Sequence, residues 1–149
     1  MVQGTAQDRM ALAGGRGFAV AASCDADRSL GAPAAPLDIA RLLAAVAAKE
    51  TGLRWDGRPG PGGELSAWQI TETVWRQHCK APFAQAATDH QLAREVAERH
   101  IHWLIAQIER RGLPVTPQRV ATAWHFGLSH VARRTPWGRE VANLYHDLP

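Results

Sequence analysis

The sequence predicts a mainly α-helical domain. Apolar residues recur at helical spacing in successive stretches after residue 37. Ser, Thr or Asp stands where several of these stretches would begin, and glycine where they would stop. No stretch alternates apolar and polar residues as a half-buried strand does, although the glycine-rich segment near residue 60 leaves room for a short hairpin. The 149 residues, 46% apolar and 21% charged, suit one globular unit with its own core.

Residues 1–36 are rich in Gly, Ala, Ser, Asp and Pro without periodicity, and read as a disordered leader or linker ahead of a domain over 37–149. The weakly apolar run from Met10 to Ser23 is broken by Gly14, Gly15, Arg16 and Gly17. A signal peptide needs an uninterrupted apolar core, so no clear one is read here.

The first helix starts behind Asp38, an N-cap residue, and carries Ile39, Leu42, Leu43, Val46 and Ala47 on one face. Gly52 stops it. Four residues beyond Val46 the same phase reaches Glu50, which places that carboxyl on the edge of the buried face in the last turn. Desolvation and the negative end of the helix dipole both raise a carboxyl pKa there. A carboxyl still protonated near neutral pH can serve as a general acid.

Leu53 to Glu64 holds Gly57, Pro59, Gly60, Pro61, Gly62 and Gly63 and has no regular periodicity. It is long for a passive connector, and its glycines permit close backbone approach to a ligand. Ser66 to Cys79 reads as a short helix with Trp68 and Trp75 on its inner side. Residues 81–87 read as a linker. Thr88 to Gln91 forms a capping box ahead of the longest helix, which runs to about Arg110 with Leu92, Val96, Ala97, His100, Ile101, Leu104, Ile105 and Ile108 on its apolar stripe. Thr116-Pro117 starts the next helix, and Gly127 ends it after Ala123, Trp124, His125 and Phe126. Ser129 to Pro136 is a basic connector, and a last helix near Trp137–Asp147 carries Val141, Leu144 and Tyr145.

The net charge of +3 is mild, and all but Lys49 and Lys80 of the 17 basic residues are arginine. The balance favours anionic partners without choosing one. Cys24 and Cys79 leave their pairing open. His100 and His102 are two apart and diverge on a helix, and HExxH is absent, so neither a metal nor another cofactor is expected. No apolar run approaches the length of a membrane helix.

Four motifs in order carry a family resemblance. They are Glu50-Thr51-Gly52 at a helix end, Ser66-Ala67-Trp68-Gln69-Ile70, Ala123-Trp124-His125-Phe126-Gly127, and a C-terminal helix bearing Tyr145. The arrangement resembles the catalytic domain of lytic transglycosylases, within the lysozyme-like superfamily, over about Leu37 to Tyr145. In that family the motifs are Glu-Ser, Gly-Leu-Met/Trp-Gln-Ile, Ala-Tyr-Asn-Ala-Gly and a helix tyrosine. Here Ser66, Trp124 and His125 replace Gly, Tyr and Asn, and Val141 falls where the tyrosine would align.

The resemblance implies a lysozyme-like helical fold with the Gly/Pro-rich loop at the active site. It implies cleavage of the β-1,4 bond between N-acetylmuramic acid and N-acetylglucosamine in peptidoglycan, in the cell envelope or periplasm. Glu50 would be the single acid and base, and Ser66, Trp68, Gln69, Trp124, His125 and Tyr145 the substrate contacts. Glycan strands are the partner, and a secretion or phage-tail assembly is one the resemblance allows. Hydrolysis would require a second carboxylate, for which Asp56 and Glu64 are the loop residues available. Two rival readings stand beside this one. One is a lysozyme-like domain that binds glycan without cutting. The other is a helix-turn-helix over Thr116–Arg134, with Ala123 and Gly127 at the turn and Arg133-Arg134 toward phosphates. In the second, arginine falls where a recognition helix needs an apolar residue, so nucleic acid is not the expected partner.

Overall fold

The computed structural model describes residues 36–54 and 57–149. The leader expected up to residue 36, Cys24 and Asp56 therefore lie outside the described residues, apart from Pro36 itself. The described chain is mainly helical: α1 (Ile39–Thr51), α2 (Glu72–His78), α3 (Gln85–Thr88), α4 (His90–Arg110), α5 (Pro117–Phe126) and α6 (Pro136–Asp147), with a short 3₁₀ turn at Leu128–His130. None of these helices is long and apolar enough to cross a membrane.

α1 begins where the Asp38 side chain accepts the Arg41 N–H at 3.0 Å, and ends at Gly52, which adopts the left-handed conformation at φ 62°. Leu42, Leu43 and Val46 are almost fully buried. Each such side chain stabilises the fold by about 1.5–3 kcal/mol. Helix propensities differ by only about 0.7 kcal/mol among ordinary residues. Packing therefore decides which face of α1 turns inward, and that choice leaves Glu50 on the flank of the buried stripe.

The long helix α4 touches α1, α2, α3 and α5 and acts as the scaffold. Val96, Ala97, Ile101, Leu104 and Ile108 form its buried stripe. Its cap is Asp89, whose carboxylate accepts the Leu92 N–H at 2.9 Å, one residue after the Thr88 expected from the capping box. Residues 81–87 are not plain linker: they run into the one-turn α3, which buries Ala86.

The segment from Ser66 departs from the expected helix. Leu65 and Ile70 form an isolated antiparallel bridge around a tight turn, and Ser66 and Gln69 have φ of 75° and 49°. A right-handed helix cannot contain such residues. α2 starts only at Glu72, behind Thr71, whose hydroxyl accepts the Val74 N–H at 3.3 Å. The glycine-rich loop before it forms turns and, among the described residues, no strand.

α5 and α6 are the most extensively packed pair, and α6 also lies along α1. Both start with the same Thr-Pro signature, Thr116-Pro117 and Thr135-Pro136, so α6 begins slightly before the expected Trp137. Gly138 makes their close approach feasible. A Cβ there would run into the Thr122 hydroxyl and come within 2.8 Å of the Gln118 carbonyl oxygen.

Candidate functional site

The end of α1, the glycine-rich loop and the end of α5 enclose one open cleft of about 300 Å³. Glu50, Pro61, Glu64, Gln69, Thr71, Trp124 and His125 line it. Glu50, Gln69, Trp124, His125 and Glu64, singled out from the sequence, thus lie together on one surface, although they are up to 75 positions apart.

Local structure explains each placement. The Thr51 hydroxyl lies 3.0 Å from the Ala47 carbonyl oxygen and 3.1 Å from that of Ala67, which pins the end of α1 to the Ser66–Gln69 turn. The left-handed Gln69 then projects into the cleft, its amide donating to the Ser66 carbonyl at 3.1 Å. The loop folds back through Gly60 N–H to the Glu64 carbonyl at 2.8 Å, and the Glu64 carboxylate accepts the Gly62 N–H at 2.9 Å. Gly60 packs so closely on the Gln69 amide and the Glu64 carboxylate that a Cβ there would collide with both.

Glu50 is 14% exposed at its side chain yet opens on the cleft. Burial holds its carboxyl above the ordinary carboxylate range, and the Glu64 charge adds to the effect. A charge on His125 and the Lys49 ammonium act in the opposite direction. His125 Nδ1 lies 3.6 Å from Glu50 Oε1, too long for a direct hydrogen bond but within ion-pair reach. The His125 ring stacks on Trp137, with centroids 4.5 Å apart and planes 16° apart. Lys49 points away from the cleft to an ion pair with Glu140 of α6.

Other expected contacts lie elsewhere. Ser66 is buried under the turn. Trp68 is 5% exposed, donates its indole N–H to the Leu43 carbonyl at 3.0 Å, and stacks on His90. It walls a separate hollow with Ala40, Ala44, Leu53 and Arg94. The Tyr145 hydroxyl accepts the Asp38 N–H at 3.0 Å, at the opposite end of α1 from Glu50. Val141 is fully buried. Asp56 lies outside the described residues.

Sequence reading missed the support behind Trp124. His100 of α4 is 7% exposed, meets His78 Nε2 through its Nδ1 at 3.0 Å, stacks on Trp103 and presses edge-on against Trp124. Burial lowers the His100 pKa to about 4, helped by the nearby His78. The only sequence signal was a histidine within an apolar stripe. Trp137 was likewise invisible as a partner of His125. Among the described residues no cluster of three or more His, Cys, Asp or Glu is placed to hold a metal.

Set against models of known protein families, curated proteins and solved structures, the chain matches none. After α5 the chain makes only the 3₁₀ turn, and the next helix begins at Pro136. A helix-turn-helix needs its second helix after a turn of about 3–4 residues, so Thr116–Arg134 carries no recognition helix.

Proposed function

We propose that this cleft cleaves β-1,4 glycosidic bonds in the glycan strands of peptidoglycan, in the manner of a lytic transglycosylase within a lysozyme-like domain. One observation carries the reading: Glu50, a largely buried glutamate with a raised pKa, opens on a cleft that also presents a tryptophan and an amide. A sugar polymer calls for such a set, with an acid for the bond, a flat apolar face for a pyranose ring and an amide for hydroxyl or N-acetyl groups. The order of motifs from Glu50 through Gln69 to Trp124 supports the same assignment.

In this reading Glu50 donates its proton to the glycosidic oxygen, and the bonding pair leaves with that oxygen. The N-acetyl carbonyl of the substrate stabilises the cationic carbon. The Glu50 carboxylate then takes the proton of the muramyl 6-hydroxyl, whose oxygen closes on the same carbon. The product is a 1,6-anhydro sugar, Glu50 regains its proton, and no water is consumed. No cofactor is required. Trp124 offers the stacking surface and Gln69 the polar contact. Such an enzyme would act in the cell envelope.

A second reading draws on Glu64. It shares the cleft and its charge acts on Glu50, so it could activate a water as the second carboxylate of a hydrolytic lysozyme. Digestion of purified peptidoglycan by the protein and by Glu50→Gln, with mass spectrometry of the muropeptides, separates the two. Anhydromuramyl products lost in the variant support the transglycosylase, whereas reducing ends lost in Glu50→Gln and Glu64→Gln support the lysozyme. Absence of any product, where a control enzyme works, rejects both and leaves a glycan-binding domain.

A further inference from the structure

His125 stands where the resembled family carries asparagine, an uncharged amide, and its surroundings give it a definite job. Three observations converge on it. Its Nδ1 faces Glu50 Oε1 at 3.6 Å. Its ring lies flat on Trp137 at 4.5 Å, with the Phe126 ring edge-on at 4.6 Å. Gly138, the residue after Trp137, lies so close to α5 that a Cβ there would meet the Thr122 hydroxyl and the Gln118 backbone. An imidazole gripped in this way cannot swing freely from the carboxyl it faces.

We infer that His125 is a positioning residue for Glu50: stacked on Trp137, it holds its imidazole opposite the Glu50 carboxyl and biases that carboxyl toward its ionised form. The inference rests on the reading of Glu50 as the acid and assigns His125 no proton transfer to substrate. The groups facing Glu50 are Glu64 from the loop, Lys49 from its own helix and His125 from α5, while Glu140 of α6 occupies Lys49. Glu64 repels the carboxylate and Lys49 is engaged elsewhere. Both His125 and Lys49 favour the ionised carboxyl, His125 the more strongly, and His125 is the one that does so from across the cleft. Once Glu50 has given up its proton, a cation at this distance stabilises the carboxylate left behind. An asparagine in the same place could orient the carboxyl but could not supply that charge.

The test reads the carboxyl directly. Protein labelled with ¹³C at glutamate carboxyls is titrated by NMR, with the Glu50 signal assigned by its loss in Glu50→Gln. His125→Asn should raise the Glu50 midpoint by about one pH unit, the low end of the range for an opposite charge because the ring is partly exposed. His125→Gln should do the same, and serves if the asparagine variant fails to fold. Trp137→Ala should reproduce part of the rise, and Trp137→Phe, which keeps a flat ring, should restore the wild-type midpoint. An unmoved or lowered midpoint in folded His125→Asn or His125→Gln overturns the inference. A wild-type midpoint in Trp137→Ala overturns the role of the Trp137 stack. These measurements need no substrate, so a protein that cuts nothing yet shows the expected shifts would sink the proposed activity and leave the pairing intact. Where cleavage is observed, the alkaline limb of kcat/KM should move upward with the midpoint, a change that a merely structural residue would not produce.

Discussion

His78 Nε2 and His100 Nδ1 meet at 3.0 Å between the end of α2 and the middle of α4, so one ring must donate and the other accept. That arrangement requires at least one uncharged ring.

It follows that acid should weaken the fold. The His100 pKa falls from 6.5 to about 4 on folding, chiefly by burial, and that of His78 is also lowered. Between those values the unfolded chain binds more protons than the folded one, so stability rises with pH. The contribution is complete above pH 6.5 and is lost as pH falls toward 4. His100 alone should account for up to about 3 kcal/mol of this loss. Urea unfolding at pH 7 and pH 4.5 measures it, and His100→Phe should flatten the difference.

Glu50 works in the other direction. Its folded-state pKa is raised, mainly by burial, so the folded protein holds that proton to higher pH than the unfolded chain. The associated stability is present below the unfolded value and is lost as pH rises through the folded value. Glu50→Gln should therefore raise the melting temperature at pH 8, with little gain at pH 4. A variant that melts lower than the wild type at pH 8 would show that the ionised carboxylate is well accommodated.

Trp68 should prove to be a packing residue. Its ring is 5% exposed and its indole N–H is satisfied by Leu43. Trp68→Ala should cost about 3–5 kcal/mol. Trp68→Phe should cost less, because it keeps most of the apolar contact. On any substrate the cleft turns over, Trp68→Phe should leave KM near the wild-type value, whereas Trp124→Ala should raise it about tenfold or more. Equal KM effects from the two tryptophans would return Trp68 to the substrate surface.

Gly138→Ala should destabilise the protein although alanine is the better helix former. The added methyl meets the Thr122 hydroxyl and the Gln118 backbone across the α5–α6 contact. Overpacking of this kind costs about 1–3 kcal/mol, against about 1 kcal/mol gained in propensity. Chemical denaturation should show a net loss, and a net gain would mean that α6 shifts without strain.

The helix frame was legible because its signals are local. Asp38 and Gly52 bound α1, and Thr116-Pro117 and Gly127 bound α5, each acting on backbone groups a few residues away. The turn at Ser66–Gln69 was not legible. Its two left-handed residues are neither glycine nor asparagine, and they are held there by the Leu65–Ile70 bridge and by ties to α1. The meeting of Glu50 with Gln69, Trp124 and His125 was anticipated from the order of motifs, not from any local rule. The meetings of His78 with His100 and of His125 with Trp137 have no sequence signature. They arise from helix packing, which periodicity alone does not register.

The two ties between α1 and the turn have a mechanical consequence. Thr51 grips the Ala67 carbonyl and Trp68 grips the Leu43 carbonyl, so α1 and the turn form one rigid wall that carries Glu50 and Gln69 at a constant spacing. α6 packs along both α1 and α5, so the wall that carries Trp124 and His125 is braced against the same helix. Whatever enters the cleft therefore meets the Glu50 carboxyl and the Gln69 amide in a fixed register.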